Sequence, residues 1–315
     1  EVVLIGTSAG GALSHATDID GSVCIGFYAG RLNASSVITA IGWKAGESAD
    51  DTNVAAVYNT YIGYESGRFL DDGTHNTALG HLAMKSADAD AQNANNNVAV
   101  GYSALTAITD GDNNVAIGST ALDALTTGSD TIAIGMGALS AVSTVGDNMA
   151  IGRNAMILHT TGSGNTAIGH YALDASASDM VRNTALGYTA LGTLNDANAD
   201  NNTSLGAYSG QALTTGTGNV FVGDSAGYLA TTLRYSTIIG MGAGSGGAME
   251  GTTSAADFSV FVGHNAGYAM TTGQKNTALG TYALDLEDTG DFNVAVGYEA
   301  LTAQNVDGTV GNTAV

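Results

Sequence analysis

Three histidines hold the same place in a recurring motif and are the first candidates for chemistry. His81, His170 and His264 each directly follow a glycine that an aliphatic residue precedes. Imidazole nitrogens are common metal ligands, and association of three identical chains would bring three copies of each histidine together. Elsewhere the same place holds residues as different as Phe27 and Asp224, which indicates an outward-facing position. Since no cluster of His and Cys has zinc spacing, we expect no metal site.

Acidic loops between copies of the motif are the second candidate site. Asp110–Asn113, Gly146–Asn148 and Asp288–Asp291 are rich in the oxygen ligands that Ca²⁺ prefers. None has the complete pattern of an EF-hand loop or of a calcium-binding nonapeptide repeat. We therefore interpret these loops as solvated turns and expect no cofactor, with Ca²⁺ as the alternative.

Aromatic residues recur one or two places after the glycine and form the third candidate. They are Phe27, Tyr28, Trp43, Tyr64, Tyr102, Tyr171, Tyr188, Tyr208, Tyr282 and Tyr298. Such a stripe could stack on sugars, but mutual support between neighbouring strands is the favoured interpretation. The sequence contains no nucleophile elbow and no phosphate-binding glycine loop. Its acids lie in variable loops, which disfavours a carboxylate pair that hydrolyses glycans. We predict a protein that is not an enzyme.

All of these candidates belong to one short repeat that fills the chain. Its copies align on a glycine, which we number position 0, and nine of the sixteen intervals between these glycines are 17 residues long. The glycines are Gly6, Gly26, Gly42, Gly63, Gly80, Gly101, Gly118, Gly135, Gly152, Gly169, Gly187, Gly206, Gly223, Gly240, Gly263, Gly280 and Gly297. A short fixed period of this kind is typical of solenoid proteins.

The repeat predicts one solenoid coil per copy. Position −1 is Ile, Leu or Val in all seventeen copies, and position −3 is Val, Thr or Ile in sixteen. Alternating β-branched residues indicate a strand, and the glycine permits a bend. Turn-forming Thr, Gly, Asp and Asn separate the copies. We therefore predict an all-β parallel β-solenoid of about seventeen coils, each with a strand, a bend, a short second strand and a loop. Residues 1–315 form a single repeat array.

Position −2 is also apolar in nearly every copy, so both faces of the strand must be covered. The interior of one coil covers one face, and we expect another chain to cover the second. Positions −2 and +4 exchange size, because −2 is Ala wherever +4 is Leu or Met, and −2 is usually larger where +4 is Gly. This exchange indicates a shared buried layer. Our candidates for an interface in a homotrimer are Ala99, Leu105, Ala116, Leu122, Ala133, Leu139, Phe221 and Phe261.

Asparagine occupies position −4 in eleven copies. Stacked asparagine side chains can hydrogen-bond along a solenoid as a ladder, and this is the favoured interpretation over an amide row that binds glycan. The predicted structural residues of the best copies are Asn76, Gly80, Asn97, Gly101, Asn114, Gly118, Asn165, Gly169, Asn276, Gly280, Asn293 and Gly297.

Composition narrows the classes of partner. The net charge of −21 disfavours binding to nucleic acid and to anionic membrane surfaces. The single cysteine, Cys24, lies in an apolar run and allows no disulfide within the chain. No apolar stretch is long enough to insert in a membrane. Because 312–315 begin a further copy, we expect the chain to be a window of a longer protein.

The motif N-T-A-[IL]-G-x-x-A-L, as in 76–84 and 165–173, resembles the repeat shafts of bacteriophage tail fibres, many of which end in an endosialidase-type chaperone domain. It is also similar to the N-S-V-A-I-G repeats in the heads of trimeric autotransporter adhesins. Both resemblances imply a parallel homotrimer of β-rolls. They lead us to expect an extracellular fibre shaft on a virion, or alternatively a bacterial surface adhesin, with a cell-surface glycan or protein as receptor.

Two other functions serve as alternatives. A glycan-cleaving tailspike would need two carboxylates in a groove, roughly 5–9 Å apart. An ice-binding solenoid would need an exposed array of threonines, which we do not expect because the threonines lie at position −3, where we predict burial. Three long insertions, 85–97, 191–202 and 244–258, could carry receptor specificity, although spacer loops are the favoured interpretation.

Overall fold

The structure is a computed structural model that describes residues 1–11, 21–31, 37–48, 57–86, 93–175, 179–247, 249, 256–302 and 311–315. These residues form strands and turns, and none of them lies in a helix. The insertions 85–97 and 244–258 lie partly outside this set.

Two compact units divide the chain, Glu1–Arg153 and Asn154–Val315. The first unit contains β1 (Val3–Ile5), β2 (Val23–Ile25), β3 (Ile38–Ile41), β4 (Asn59–Ile62), β5 (Thr77–Leu79), β6 (Val98–Val100), β7 (Val115–Ile117), β8 (Ile132–Ile134) and β9 (Met149–Ile151). The second contains β10 (Thr166–Ile168), β11 (Thr184–Leu186), β12 (Thr203–Leu205), β13 (Val220–Val222), β14 (Thr237–Ile239), β15 (Val260–Val262), β16 (Thr277–Leu279), β17 (Val294–Val296) and β18 (Thr313–Ala314).

Within each unit, consecutive strands pair in parallel and in the register of the repeat. Ala99 lies opposite Ala116, which lies opposite Ala133, so equivalent positions stack in rows. The predicted all-β parallel β-solenoid is confirmed. The predicted second strand is wrong for the described residues, because the segment after each bend consists of turns. That segment still bonds to its neighbours, as the Lys44 N–H donates to the Phe27 carbonyl and the Gly46 N–H to the Ser66 carbonyl.

Glycine at position 0 is required by the backbone. All seventeen of these glycines have φ between 127° and 145°, a region that side chains with a Cβ rarely adopt. The next coil also passes close by. A Cβ on Gly101 would lie 2.6 Å from the Gly118 carbonyl oxygen, and one on Gly118 would lie 2.5 Å from that of Gly135. The same two causes apply at Gly80, Gly169 and Gly280.

The asparagines at position −4 are buried, and where two successive coils both have one, it links the coils. The Asn114 backbone N–H donates to Asn97 Oδ1 (2.8 Å), and Asn114 Nδ2 donates to the Gly128 carbonyl (2.9 Å). The pattern recurs where Asn293 N–H donates to Asn276 Oδ1 (2.8 Å). Because Asn76, Asn97, Asn114, Asn165, Asn276 and Asn293 are buried, no amide row faces a glycan at these positions.

Positions −2, +3 and +4 fill the interior of the coils. Ala99, Leu105, Ala116, Leu122, Ala133, Leu139, Phe221 and Phe261 all have 0% exposure within the single chain. A side chain with no exposed surface cannot contact a partner chain. The assignment of these eight residues to an interface between chains is therefore corrected: they form the core of the solenoid.

Positions −2 and +4 exchange size because their side chains share one space inside the coil, as predicted. A Cβ on Gly267 would lie 2.8 Å from the Phe261 ring, and one on Gly30 would lie 2.6 Å from Cys24 Sγ. Backbone strain does not explain the glycines at +4, because Leu and Met at this position adopt φ of 51–58°, close to the 54–62° of the glycines. Burial also raises the pKa of the Cys24 thiol to about 11, which makes it an inert core residue.

Candidate functional site

The outer face of the sheet, which we define as the side chains at positions −3 and −1, is the most extensive exposed feature. Leu79 is 46% exposed, Ile117 38% and Leu186 40%. Most other residues of these two rows are half-buried. The predicted burial of position −3 is wrong, because Thr77, Thr184 and Thr203 are exposed. The strand keeps alanine and a few larger residues inside and directs its β-branched residues outward.

No residue of the outer face carries a charge in the described strands β1 to β17. Its members are Val, Ile, Leu, Thr and Met in every coil. This is notable on a chain with a net charge of −21, whose acids therefore lie elsewhere. Contiguous exposed apolar surface of this kind marks a site of interaction.

The aromatic residues at position +1 of the first unit form a stacked row. The Trp43 and Tyr64 rings lie 4.6 Å apart at 11°, and those of Tyr64 and His81 lie 4.9 Å apart at 13°. Phe27 and Tyr102 continue the row on either side. The rings cover one another's faces, so a sugar cannot stack on the rings inside the row.

The second unit arranges its aromatic residues differently. Tyr171, Tyr188, Tyr208 and Tyr228 meet edge to face, with interplanar angles of 73–86°. Both arrangements are favourable for aromatic pairs and stabilise contacts between coils. The three histidines at position +1 are exposed or half-buried, and no three His, Cys, Asp or Glu side chains converge to hold a metal ion in the part of the chain that the structure describes.

Acidic loop residues act as hydrogen-bond acceptors between coils. Asp112 Oδ1 accepts the backbone N–H of Asn95 (2.7 Å), and Asp291 Oδ1 accepts that of Gln274 (2.7 Å). These carboxylates lie at equivalent positions of their coils and satisfy a loop donor of the preceding coil. These two carboxylates therefore have a structural role, as acceptors that join neighbouring coils.

Three aspartates share position +5, which sequence analysis treated as variable. Burial raises the pKa of the carboxyl groups of Asp123, Asp174 and Asp285. In the second unit, Asp174 and Asp285 lie six coils apart, or roughly 29 Å at the spacing of paired strands. That separation is too large for the carboxylate pair of a glycan hydrolase.

Replacing Asp123 by asparagine should stabilise the protein at neutral pH. Asp123 Oδ1 is buried without a hydrogen-bond partner, and burial raises its pKa in the folded chain. The stability that this group contributes is therefore full below the ordinary carboxyl pKa of about 4 and declines as the pH rises through the raised folded value. Thermal unfolding should show a higher Tm for D123N at pH 7 and no gain at pH 3.5. Asp130→Asn, at an exposed position, removes the same charge and should change Tm little. Equal gains for both variants would contradict this explanation.

Sequence analysis missed a cluster of ion pairs in the first unit. Glu47 binds Arg31 (3.1 Å), Lys44 (3.3 Å) and Arg68 (2.9 Å). Glu65 binds Arg68 (2.8 Å) and Lys85 (2.7 Å). The signal was present, since four of the eight Lys and Arg residues lie between positions 31 and 85, at +2 or +5 of their coils. A search for features common to all copies does not detect a feature that occurs in only a few of them.

The described residues include no helix of the length and hydrophobicity that a membrane span requires. Comparisons with models of known protein families and with curated proteins gave no match to this chain.

Proposed function

We propose that this chain is a structural protein without enzymatic activity, the shaft of a bacteriophage tail fibre, in which three parallel copies associate along the outer face of the sheet. The observation that carries the proposal is the uncharged, half-exposed apolar surface that this face repeats from coil to coil. The phage context rests on the resemblance of the repeat. In that context the shaft is extracellular and projects a tip that binds a cell-surface glycan or protein.

The size of the outer face supports association. Its two rows of side chains recur on every strand from β1 to β17; most are half-buried, and several are exposed, such as Leu79 at 46% and Leu186 at 40%. Contiguous apolar surface of this kind on a single chain marks an interaction site.

The chemistry and period of the outer face favour a second copy of this chain as the partner. Ridges formed by positions −3 and −1 recur at the spacing of paired strands, about 4.8 Å, and another copy presents the same period. Contact through an uncharged face also keeps the acids of two strongly negative chains away from the interface. A partner without this repeat would match the ridges over only a short length.

Two alternative functions are specific enough to be tested against this proposal. A bacterial trimeric adhesin shares the repeat and would use the same interface. An ice-binding solenoid gains support from the exposure of Thr77, Thr184 and Thr203, since the expected burial of position −3 was the reason for disfavouring it. Valine and isoleucine interrupt the threonine row, which favours association over ice binding.

Light scattering on the purified chain should give a mass three times that of the 31.3 kDa chain. The double variant Ile117→Asp/Ile134→Asp places charges on the outer face of two adjacent coils and should yield monomers that keep the β-sheet circular dichroism signal. Thr127→Asp/Thr144→Asp adds the same charges to exposed loop positions of the same coils and should remain trimeric. A monomeric parent chain would contradict the proposal, and inhibition of ice growth by that monomer would favour the alternative.

A further inference from the structure

We propose that the first unit carries a binding site for an anionic polysaccharide, formed by the cationic patch Arg31, Lys44, Arg68 and Lys85 together with the row of aromatic rings beside it. Half of the eight basic residues lie between positions 31 and 85, which also contain six acidic residues, so the site depends on how these side chains are placed and not on the charge of the stretch. The site differs from the outer face of the sheet and does not depend on association of chains.

The patch exposes its cations and buries its anions. The side chains of Glu47 and Glu65 are only 4% and 8% exposed. Those of Arg31 and Lys85 keep 33% and 29% of their surface accessible. Four cations surround the two carboxylates, and buried Asp71, which accepts a hydrogen bond from Ser48 (2.7 Å), adds a third carboxylate beside Glu47. The cluster therefore has a net charge of +1, and the groups that it exposes are its cations.

The stacked aromatic row adjoins the patch and adds to its positive potential. Lys44 Nζ lies 4.8 Å from the centre of the Trp43 ring, and the Arg31 guanidinium lies 4.2 Å from that of Tyr28. Because the rings of successive coils stack on one another, their edges face outward. The edge of an aromatic ring carries partial positive charge, whereas its face is negative. Trp43 is 37% exposed and Tyr64 43%, so a strip of ring edges lies open beside the cations.

This combination fits a sugar chain that carries carboxylate or sulfate groups. Anionic groups would bind the exposed guanidinium and ammonium groups, and the ring edges, which carry partial positive charge, would face the same carboxylate or sulfate oxygens. The patch follows the coils from Gly26 to Gly80, which gives it a length of roughly 15 Å at the strand spacing. A nucleic acid is disfavoured, because its binding needs more positive charge than this small cluster supplies and its bases need free aromatic faces.

The acidic remainder of the chain does not prevent such binding at moderate ionic strength. The Debye length is about 10 Å in 0.1 M salt, so acids more distant than this from the patch are largely screened. At about 1 M salt the patch itself is screened, and the bound polysaccharide should dissociate.

The single tryptophan of the chain reports directly on the site, because it is Trp43. Polygalacturonate added in 0.1 M salt should change the Trp43 fluorescence in a saturable manner, and about 1 M salt should reverse the change. Dextran sulfate distinguishes a requirement for carboxylate from a requirement for any anion. Neutral dextran should leave the emission unchanged.

The double variant Arg31→Gln/Lys85→Gln removes the two most exposed cations of the patch. Glu47 keeps Lys44 and Arg68, and Glu65 keeps Arg68, so the fold should persist. We expect polygalacturonate to bind about tenfold more weakly. Arg234→Gln/Lys275→Gln changes the net charge equally at sites outside the patch and should bind within about twofold of the parent chain.

Three outcomes would overturn the site: no response of Trp43 to either anionic polymer, equal loss of binding in the control variant, or an equal response to neutral dextran. Tighter binding of a single-stranded polynucleotide would replace the sugar chain with a nucleic acid as the ligand. Each of these results is independent of the mass in solution, so failure here leaves the proposed shaft intact.

Discussion

Alanine in place of Gly118 is expected to destabilise the first unit by about 4 kcal/mol or more, through two separate effects. Gly118 has φ of 136°, a region that costs other residues on the order of 1–3 kcal/mol. Its new Cβ would also lie 2.5 Å from the Gly135 carbonyl oxygen, where only movement of the paired coil can relieve the overlap. Denaturant unfolding followed by circular dichroism should show the loss as a shift to lower midpoint.

Gly21→Ala is the matched control in the same unit, because it separates backbone strain from contact between coils. Gly21 also has a positive φ, 97°, but the nearest atom to the position that its Cβ would occupy is Val37 Cγ1 at 3.8 Å, an ordinary van der Waals contact. This variant should lose only the strain, about 1–3 kcal/mol. Equal losses for the two variants would show that the close approach of coils contributes nothing and that conformation alone selects glycine at position 0.

The repeat predicted the fold because each structural requirement recurs in every coil. An aliphatic residue at −1, glycine at 0 and alanine at +3 satisfy the same backbone geometry and the same narrow interior many times, so the constraint is visible in one sequence. The asparagine ladder is visible for the same reason. Where Asn97 and Asn114 bond from coil to coil, both residues occupy the same place in the repeat.

The repeat did not predict which face of the strand points into the coil and which points outward. Both faces are apolar, and the usual rule of apolar inside and polar outside gives no answer. The size of a single residue gives no answer either. Ala116 lies inside and the bulkier Ile117 turns outward, but Phe221 lies inside while the smaller Val222 turns outward. The sequence analysis used the size exchange at −2 and +4 correctly as evidence of a shared layer, but placed that layer between chains when it lies within one chain.

The candidate sites were less accessible to sequence analysis than the fold. Histidines, acidic loops and aromatic residues attracted attention by their type, whereas their roles depend on neighbours one coil away. His81 stacks between Tyr64 and Tyr102, and Asp112 accepts a bond from the backbone of Asn95. These contacts join residues that are 17 or more positions apart, and only the register of the coils brings them together.

Replacing Phe261 by alanine together with Gly267 by leucine should convert a coil with a large residue at −2 and glycine at +4 into one with alanine at −2 and leucine at +4. Phe261→Ala alone leaves a cavity and is expected to cost about 3–5 kcal/mol. Gly267→Leu alone overfills the layer, since even a Cβ would lie 2.8 Å from the Phe261 ring, and is expected to cost about 3 kcal/mol. The double variant F261A/G267L creates the Ala and Leu combination found in seven coils and should lie within about 2 kcal/mol of the parent chain.

The backbone permits this exchange. Gly267 has φ of 61°, and the leucine at the same position of the next coil, Leu284, has φ of 55°. A leucine at 267 would stack on Leu284 and extend the block of coils with leucine at +4. Urea unfolding of the parent, the two single variants and the double variant gives the coupling energy between the sites. A favourable coupling of about 4 kcal/mol or more would establish that −2 and +4 compete for one volume inside the coil, whereas additive losses would mean that each position is constrained on its own.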